Sequence, residues 1–174
     1  YSHYVVIDDY HRYRLPAPRH GHHYVDVDGE ILLVAAATGL KVARPDLEVV
    51  SVDAVGKKIA FQRHAARTLG LSGFTAVHGR AEELPGTPLC ACGFDLVTAR
   101  ALGSLPLLAE LGAPCLAPGG RLIAMKGAEG GAELAVAQAQ LAEQGFGCVG
   151  QHRCRLPLSG AERCLIVLEL SAKL

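Results

Sequence analysis

Alternation of apolar and polar positions first appears at Tyr24-Val-Asp-Val-Asp28, the period-two pattern of a half-buried strand. Asp28-Gly29 is a strong hairpin turn signal, and Glu30 to Ala37 reads as a second, apolar strand ended by Thr38-Gly39. Upstream, Leu15-Pro-Ala-Pro18 breaks regular structure, because proline lacks a donor and restrains its predecessor. Beyond residue 40 the period changes repeatedly. Leu47 to Asp53 reads as a buried strand ending in an acid. Gly56 to Leu69 reads as a helix with Ile59, Phe61, Ala65, Ala66 and Leu69 on one face, Lys57, Lys58, Arg63 and Arg67 mostly outward, and Gly70 as its C-cap. Strands follow at Phe74–His78 and Phe94–Thr98, then a helix over Leu105–Leu116 closed by Pro118-Gly-Gly120. A strand at Arg121–Met125, an Ala-rich helix at Glu133–Gln144 and strands at Gly147–Arg153 and Arg163–Leu170 complete the pattern. Strands alternating with helices predict an α/β fold with a mostly parallel sheet covered on both faces, closed by an antiparallel C-terminal hairpin.

Composition adds limits. Of 174 residues, half are hydrophobic and a fifth charged, which fits one globular domain rather than a disordered chain. The 17 basic and 17 acidic residues cancel, so a global polycation is excluded while a local basic patch is not. The longest apolar run, Ile31 to Ala37, is far too short to span a membrane, and no signal peptide is recognised. Tyr1 in place of an initiating Met suggests a fragment or processed form. Cys90, Cys92, Cys115, Cys148, Cys154 and Cys164 lack metal-ligand spacing and read as free thiols in a reducing compartment. The averages conceal two pieces, residues 1–40 and 41–174. All five tyrosines and five of the eight histidines lie in the first 24 residues, and all six cysteines lie after residue 89. The first piece carries three Arg against five acids, the second fourteen Lys and Arg against twelve.

In a wound parallel sheet, ligands sit beyond the carboxyl ends of the strands. Asp53 stands at such an end, where a carboxylate accepts both hydroxyls of a ribose or, alternatively, caps the following helix. Gly79-Arg-Ala-Glu-Glu83 follows the next strand and frames an adenine edge or forms a capped turn. Arg100 follows the strand after that, where a guanidinium holds a carboxylate or phosphate by two parallel bonds or joins a surface ion pair. These three positions are expected to converge on one rim.

The runs Ala43-Arg-Pro-Asp-Leu47, Val52-Asp-Ala-Val-Gly-Lys-Lys-Ile-Ala-Phe61, His78-Gly-Arg-Ala-Glu-Glu-Leu84, Thr98-Ala-Arg-Ala-Leu-Gly-Ser-Leu105, Pro118-Gly-Gly-Arg121, Met125-Lys-Gly127 and Leu156-Pro-Leu-Ser-Gly160 with Arg163 resemble, in this order, the RsmG family, formerly called glucose-inhibited division protein B. The resemblance covers about residues 41–174. It implies a class I methyltransferase-like, Rossmann-like fold, altered at its N-terminus. It also implies S-adenosyl-L-methionine as cofactor, with methylation of guanine N7 in small-subunit ribosomal RNA as the reaction. A cytoplasmic location, without membrane or obligate protein partner, goes with it. Carried over, Asp53 holds the ribose, Ala81 and Glu82 contact the adenine side, and Arg100 is the site arginine. Lys57 and Lys58 face the RNA or the cofactor rim, and Lys126, Arg153, Arg155 and Arg163 are candidate phosphate contacts. Guanine N7 has an in-plane lone pair and no proton, so no catalytic acid or base is expected.

The family's Gly-x-Gly-x-Gly loop after the first strand is missing. By ungapped spacing Glu30 and Ala35 occupy two positions where the family contacts cofactor, and their replacement of a glycine nest implies weak or no cofactor binding. Residues 9–40 instead resemble the RcnB-like family, small periplasmic proteins of nickel and cobalt homeostasis. The resemblance rests on Tyr10-His-Arg-Tyr-Arg-Leu-Pro-Ala-Pro18, Gly21-His-His-Tyr-Val-Asp-Val27 and Ile31-Leu-Leu-Val-Ala-Ala-Ala-Thr-Gly39. His20, His22 and His23 then read either as imidazole ligands for nickel or copper or as exposed turn histidines. The two resemblances imply different compartments. A chimera joined near Gly39, or a divergent methyltransferase whose apolar strand replaces the first sheet strand, accounts for both. The rival functions are a nickel- or cobalt-responsive binding protein and a catalytically inactive RNA-binding remnant.

Overall fold

The computed structural model describes residues 4–7, 22–27, 30–100, 102–156 and 160–171, with side chains from residue 37 onward. The chain divides into two compact units, Tyr1–Ala81 and Glu82–Leu174. Compactness therefore divides the chain at a point other than the compositional change near residue 40. Asp28, Gly29, His20 and the Pro-containing run at 15–18 lie outside the described residues.

In the first unit, β1 (Tyr4–Ile7), β2 (His22–Val27) and β3 (Glu30–Ala35) form an antiparallel sheet in that order. The expected hairpin is present, with Val27 opposite Glu30 and His22 opposite Ala35. The second strand stops sooner than its apolar run suggested. Helix α1 (Ala36–Ala43) starts directly after Ala35 and includes Thr38 and Gly39. Ala36 and Ala37 are strong helix formers, and burial of Thr38, Lys41 and Val42 outweighs the roughly 1 kcal/mol cost of Gly39. The buried Lys41 ammonium donates to Pro45 O at 2.8 Å and to Leu47 O, holding the turn that Arg44 and Asp46 close by a two-bond ion pair.

Strands β4 (Val49–Asp53) and β5 (Phe74–His78) pair in parallel, connected through helix α2 (Gly56–Thr68), as the pattern predicted. Ile59 and Ala65 are buried on the inner face of α2. Gly70 follows at φ 60°, the left-handed turn expected of it. Within this ladder Ala76 turns its carbonyl outward, and Arg63 Nε and a terminal amino group both donate to it, at 3.0 and 2.8 Å. A helix side chain thus covers an unpaired strand edge.

The second unit is built on a sheet of order β6-β7-β9-β8. Strands β6 (Phe94–Arg100) and β7 (Leu116–Lys126) are parallel; β9 (Glu162–Leu170) lies antiparallel between β7 and β8 (Phe146–Arg155). The α/β class and the closing hairpin match expectation, while the described ladders make the sheet mixed rather than mostly parallel. Helix α3 (Leu105–Gly112) is shorter than predicted. Pro114 has no N–H to continue the ladder, so a 3-10 turn over Ala113–Cys115 intervenes and Leu116 already belongs to β7. Pro118-Gly-Gly120 is then an irregularity inside β7, where the ladder jumps from Phe94–Leu116 to Leu96–Arg121. A Cβ on Gly120 would meet Ala117 O at 2.8 Å and Phe94 O at 2.9 Å. Helix α4 (Gly130–Glu143) starts three residues before the expected Glu133. Its first residue packs so tightly that a Cβ would meet Lys126 Cβ at 2.8 Å and Cys164 Cβ at 2.9 Å. Leu105, Leu108, Leu122, Leu141, Phe146, Ile166 and Leu168 form the core between the helices and the sheet.

Candidate functional site

In the first unit, the parallel register sets Asp53 beside His78 at the carboxyl ends of β4 and β5. Asp53 Oδ1 accepts the Val55 N–H at 2.8 Å, and Oδ2 pairs with Lys58 Nζ at 2.9 Å. Helix α2 has no side-chain cap, so the carboxylate acts in the turn before the helix rather than as its N-cap. It also offsets two lysines at the unfavourable positive end of the helix dipole. His78 Nε2 lies 3.1 Å from Ala54 O and bridges the two strand ends. Lys57 is exposed, and Lys58 is the carboxylate's partner. Ala81 closes the unit as the first residue of a 3-10 helix, Ala81–Gly86. Glu30 is the first residue of β3 and Ala35 the last, immediately before α1, and their side chains are outside the description. His22 and His23 are neighbours in β2.

In the second unit, Glu82 is exposed in the first turn of the same 3-10 helix. Arg100 ends β6 and is half-buried; among the described residues its guanidinium has no hydrogen-bond or ion-pair partner. The β6–β7 ladder therefore presents a cation without a partner among the described residues at a strand's carboxyl end. The register extends this rim across the sheet. Arg100 lies opposite Met125, Met125 opposite Leu165, and Leu165 opposite His152. The next row holds Lys126, Cys164 and Arg153, and beyond it Arg163 faces Cys154 and Arg155 faces Glu162. Three strand steps of about 4.8 Å separate β6 from β8, roughly 14 Å in all. Arg153, Arg155 and Arg163 line a hollow of about 270 Å³ with Ala128, Cys154 and Glu162. Arg155 is paired with Glu162 at 2.8 Å, and Arg163 donates to the Glu162 carbonyl at 2.8 Å.

Lys126 is held differently from those arginines. Its ammonium donates to Gly103 O at 2.5 Å and to Glu133 Oε1 at 2.8 Å, and its side chain is 14% exposed. Glu133 Oε1 also accepts the Leu105 N–H at 2.8 Å, one of the donors left open at the start of α3. Glu133, directly and through Lys126, thus fixes the helix end of the connection that follows Arg100. The sequence reading placed Glu133 only as a helix start, because its partners are 7 and 28 residues away and leave no local signal.

The profile described as rRNA small subunit methyltransferase G matches residues 37–155. The ribosomal RNA small subunit methyltransferase G of Syntrophotalea carbinolica is 45% identical over 82% of this chain and 67% of its own length. Its counterpart in Geobacter sp. strain M21 is 43% identical over 74% of this chain and 58% of its own length. The chain belongs to the rRNA small subunit methyltransferase G family. It spans about three fifths to two thirds of the length of these relatives. Solved structures agree on the fold: a methyltransferase from Pyrococcus furiosus aligns at TM-score 0.60 with 13% identity, covering 79% of this chain and 70% of that one. The N-methyltransferase NodS of Bradyrhizobium japonicum, solved with S-adenosyl-L-homocysteine, aligns at 0.56 with 14% identity over 78% and 74%. The fold is that of the class I methyltransferases. A second profile, described as nickel/cobalt transporter regulator, matches residues 1–43 and overlaps the methyltransferase G match at 37–43.

Proposed function

We propose that this chain catalyses transfer of a methyl group from S-adenosyl-L-methionine to N7 of a guanine in small-subunit ribosomal RNA, in the cytoplasm. The observation that carries the reading is the family match over residues 37–155, joined to a class I fold with Arg100 at a strand end, without a partner among the described residues.

The residues present fit the donor unequally. At the sugar end they fit: Asp53 offers a carboxylate at the end of β4, and its exposed partner Lys58 exchanges readily for ribose hydroxyls. At the methionine end, β3 joins α1 with no residue between them, so no glycine nest is formed. In its place stands Thr38 in the first turn of α1, buried, with an Oγ1 that lacks a partner among the described residues. When bound, the donor supplies an activated methyl on a sulfonium. Guanine N7 attacks it with a lone pair already in the ring plane, so no residue needs to take a proton. What remains for the protein is to orient the reactants and exclude water. Arg100 suits the holding of an RNA phosphate or of an oxygen on the base, and Arg153 and Arg163, with Lys57 at the other unit, suit backbone phosphates. A separate origin for residues 1–40 is supported by their composition and by the second match, which reaches residue 43.

The test is methyl transfer from labelled donor to ribosomal small subunits and to their naked RNA. Label at guanine N7, reduced at least about tenfold in Arg100→Lys because the two-bond fork is lost, supports the reading. RNA that binds without ever acquiring label replaces it with the inactive-remnant reading.

A further inference from the structure

Helix α2 carries Lys57, Lys58, His64, Arg63 and Arg67 and not one acidic residue. Lys58 is neutralised by Asp53, and Arg63 is fixed on Ala76 O. Arg67 has neither a hydrogen-bond nor an ion-pair partner among the described residues and is exposed. Where α2 ends, a hollow of about 440 Å³ opens in the first unit between the helix and the outer side of β5. Arg63, Arg67, Leu71, Ser72 and Phe74 are among the residues that line it. No carboxylate is among the residues lining it. Phe74 is half-buried, so part of its ring is available to a guest.

Cations alone would suit any anion. A lining that adds an aromatic ring, Phe74, to the unpaired Arg67 is more selective, because unpaired bases stack on aromatic rings while arginines take the adjoining phosphate. We propose that this hollow is a subsite for one unpaired nucleotide of single-stranded RNA, its base on Phe74 and its phosphate on Arg67. The inference rests on the RNA reading above, and assigns a contact outside the rim that carries Arg100.

The test uses the whole chain and a short labelled oligoadenylate, with dissociation constants measured over a range of salt. Stacking and charge are separable. Phe74→Leu should weaken binding about fivefold or more without changing the salt slope, and Phe74→Tyr should restore it. Arg67→Ala should make the slope shallower by about 0.7, and Arg67→Lys should keep it. Thermal melts of the four variants confirm that each is folded. Wild-type affinity in Phe74→Leu and Arg67→Ala, with binding lost in Arg153→Ala, overturns the subsite and leaves the RNA reading intact. Polyglutamate competing through Arg67 with no dependence on Phe74 reduces the hollow to a general anion site and also overturns it. Absence of any RNA binding by the unaltered chain overturns both readings together.

Discussion

Glu133 accepts the Leu105 N–H and the Lys126 ammonium through a single oxygen. Glu133→Ala removes the acceptor of both donors and leaves the mostly buried Lys126 ammonium with Gly103 O but no counter-charge, a loss of about 1–3 kcal/mol in urea unfolding. Glu133→Gln keeps an acceptor and should recover part of it; equal losses in the two variants would show that packing alone matters. A second residue-scale effect concerns the buried Cys115. Burial and the neighbouring Cys90 thiol push its pKa up to about 11. A folded value above the unfolded one, about 8.5, stabilises the protein fully below that pH and progressively less as pH rises toward 11. The urea midpoint should therefore fall between about pH 8.5 and 11 more steeply in the unaltered chain than in Cys115→Ala. Identical pH profiles would contradict this. Asp53 and Arg100 were legible in the sequence because each closes a strand pattern. His78 and Glu133 were not, since their significance arises from residues far along the chain.

At the scale of elements, the proposed hold on the donor turns on the β3–α1 junction. A strand that passes directly into a helix offers the first-turn N–H groups and one buried hydroxyl in place of a glycine loop. S-adenosyl-L-homocysteine should bind more weakly than micromolar in calorimetry. Replacing residues 30–39 with the glycine-rich segment of a relative should tighten binding by at least about tenfold, or ~1.4 kcal/mol. Micromolar affinity in the unaltered chain would defeat this expectation. The elements themselves were mostly readable. Helix α2, β5 and the β8–β9 hairpin follow the hydrophobic period closely. The misread boundaries share one cause. Ala36–Ala37 read locally as strand, Pro118-Gly-Gly120 as the close of a helix, and Gly130-Gly131 fall before the helix expected from Glu133. Tertiary packing turns them into a helix start, an irregularity within β7 and the first turn of α4. At Gly130 only a residue without Cβ clears Lys126 and Cys164, so propensity yields to close approach.

For the molecule as a whole, family membership rests on residues 37–155, and the nickel/cobalt profile covers 1–43. Among the described residues no helix is long and apolar enough to cross a membrane, and no group of three or more metal-ligating side chains is gathered. If the N-terminal segment keeps the chemistry its match implies, nickel titration of the full chain should show one binding event that the combined His20→Ala, His22→Ala and His23→Ala substitution abolishes. Binding that survives the triple substitution would remove the histidines from that role, with methyl transfer unaffected either way. The sequence alone determined the α/β class, most element positions, the family and the strand-end placement of Asp53 and Arg100. These depend on periodicity, prolines and glycines, and ordered motifs, all of which act within a few residues. Only the tertiary structure decided the mixed pairing of β6 to β9, the row linking Arg100 to Arg153's neighbours, the Glu133–Lys126 anchor and the hollow beside β5. Register and long-range contact are set by which faces bury together, and that choice is made by the folded chain rather than by any one segment.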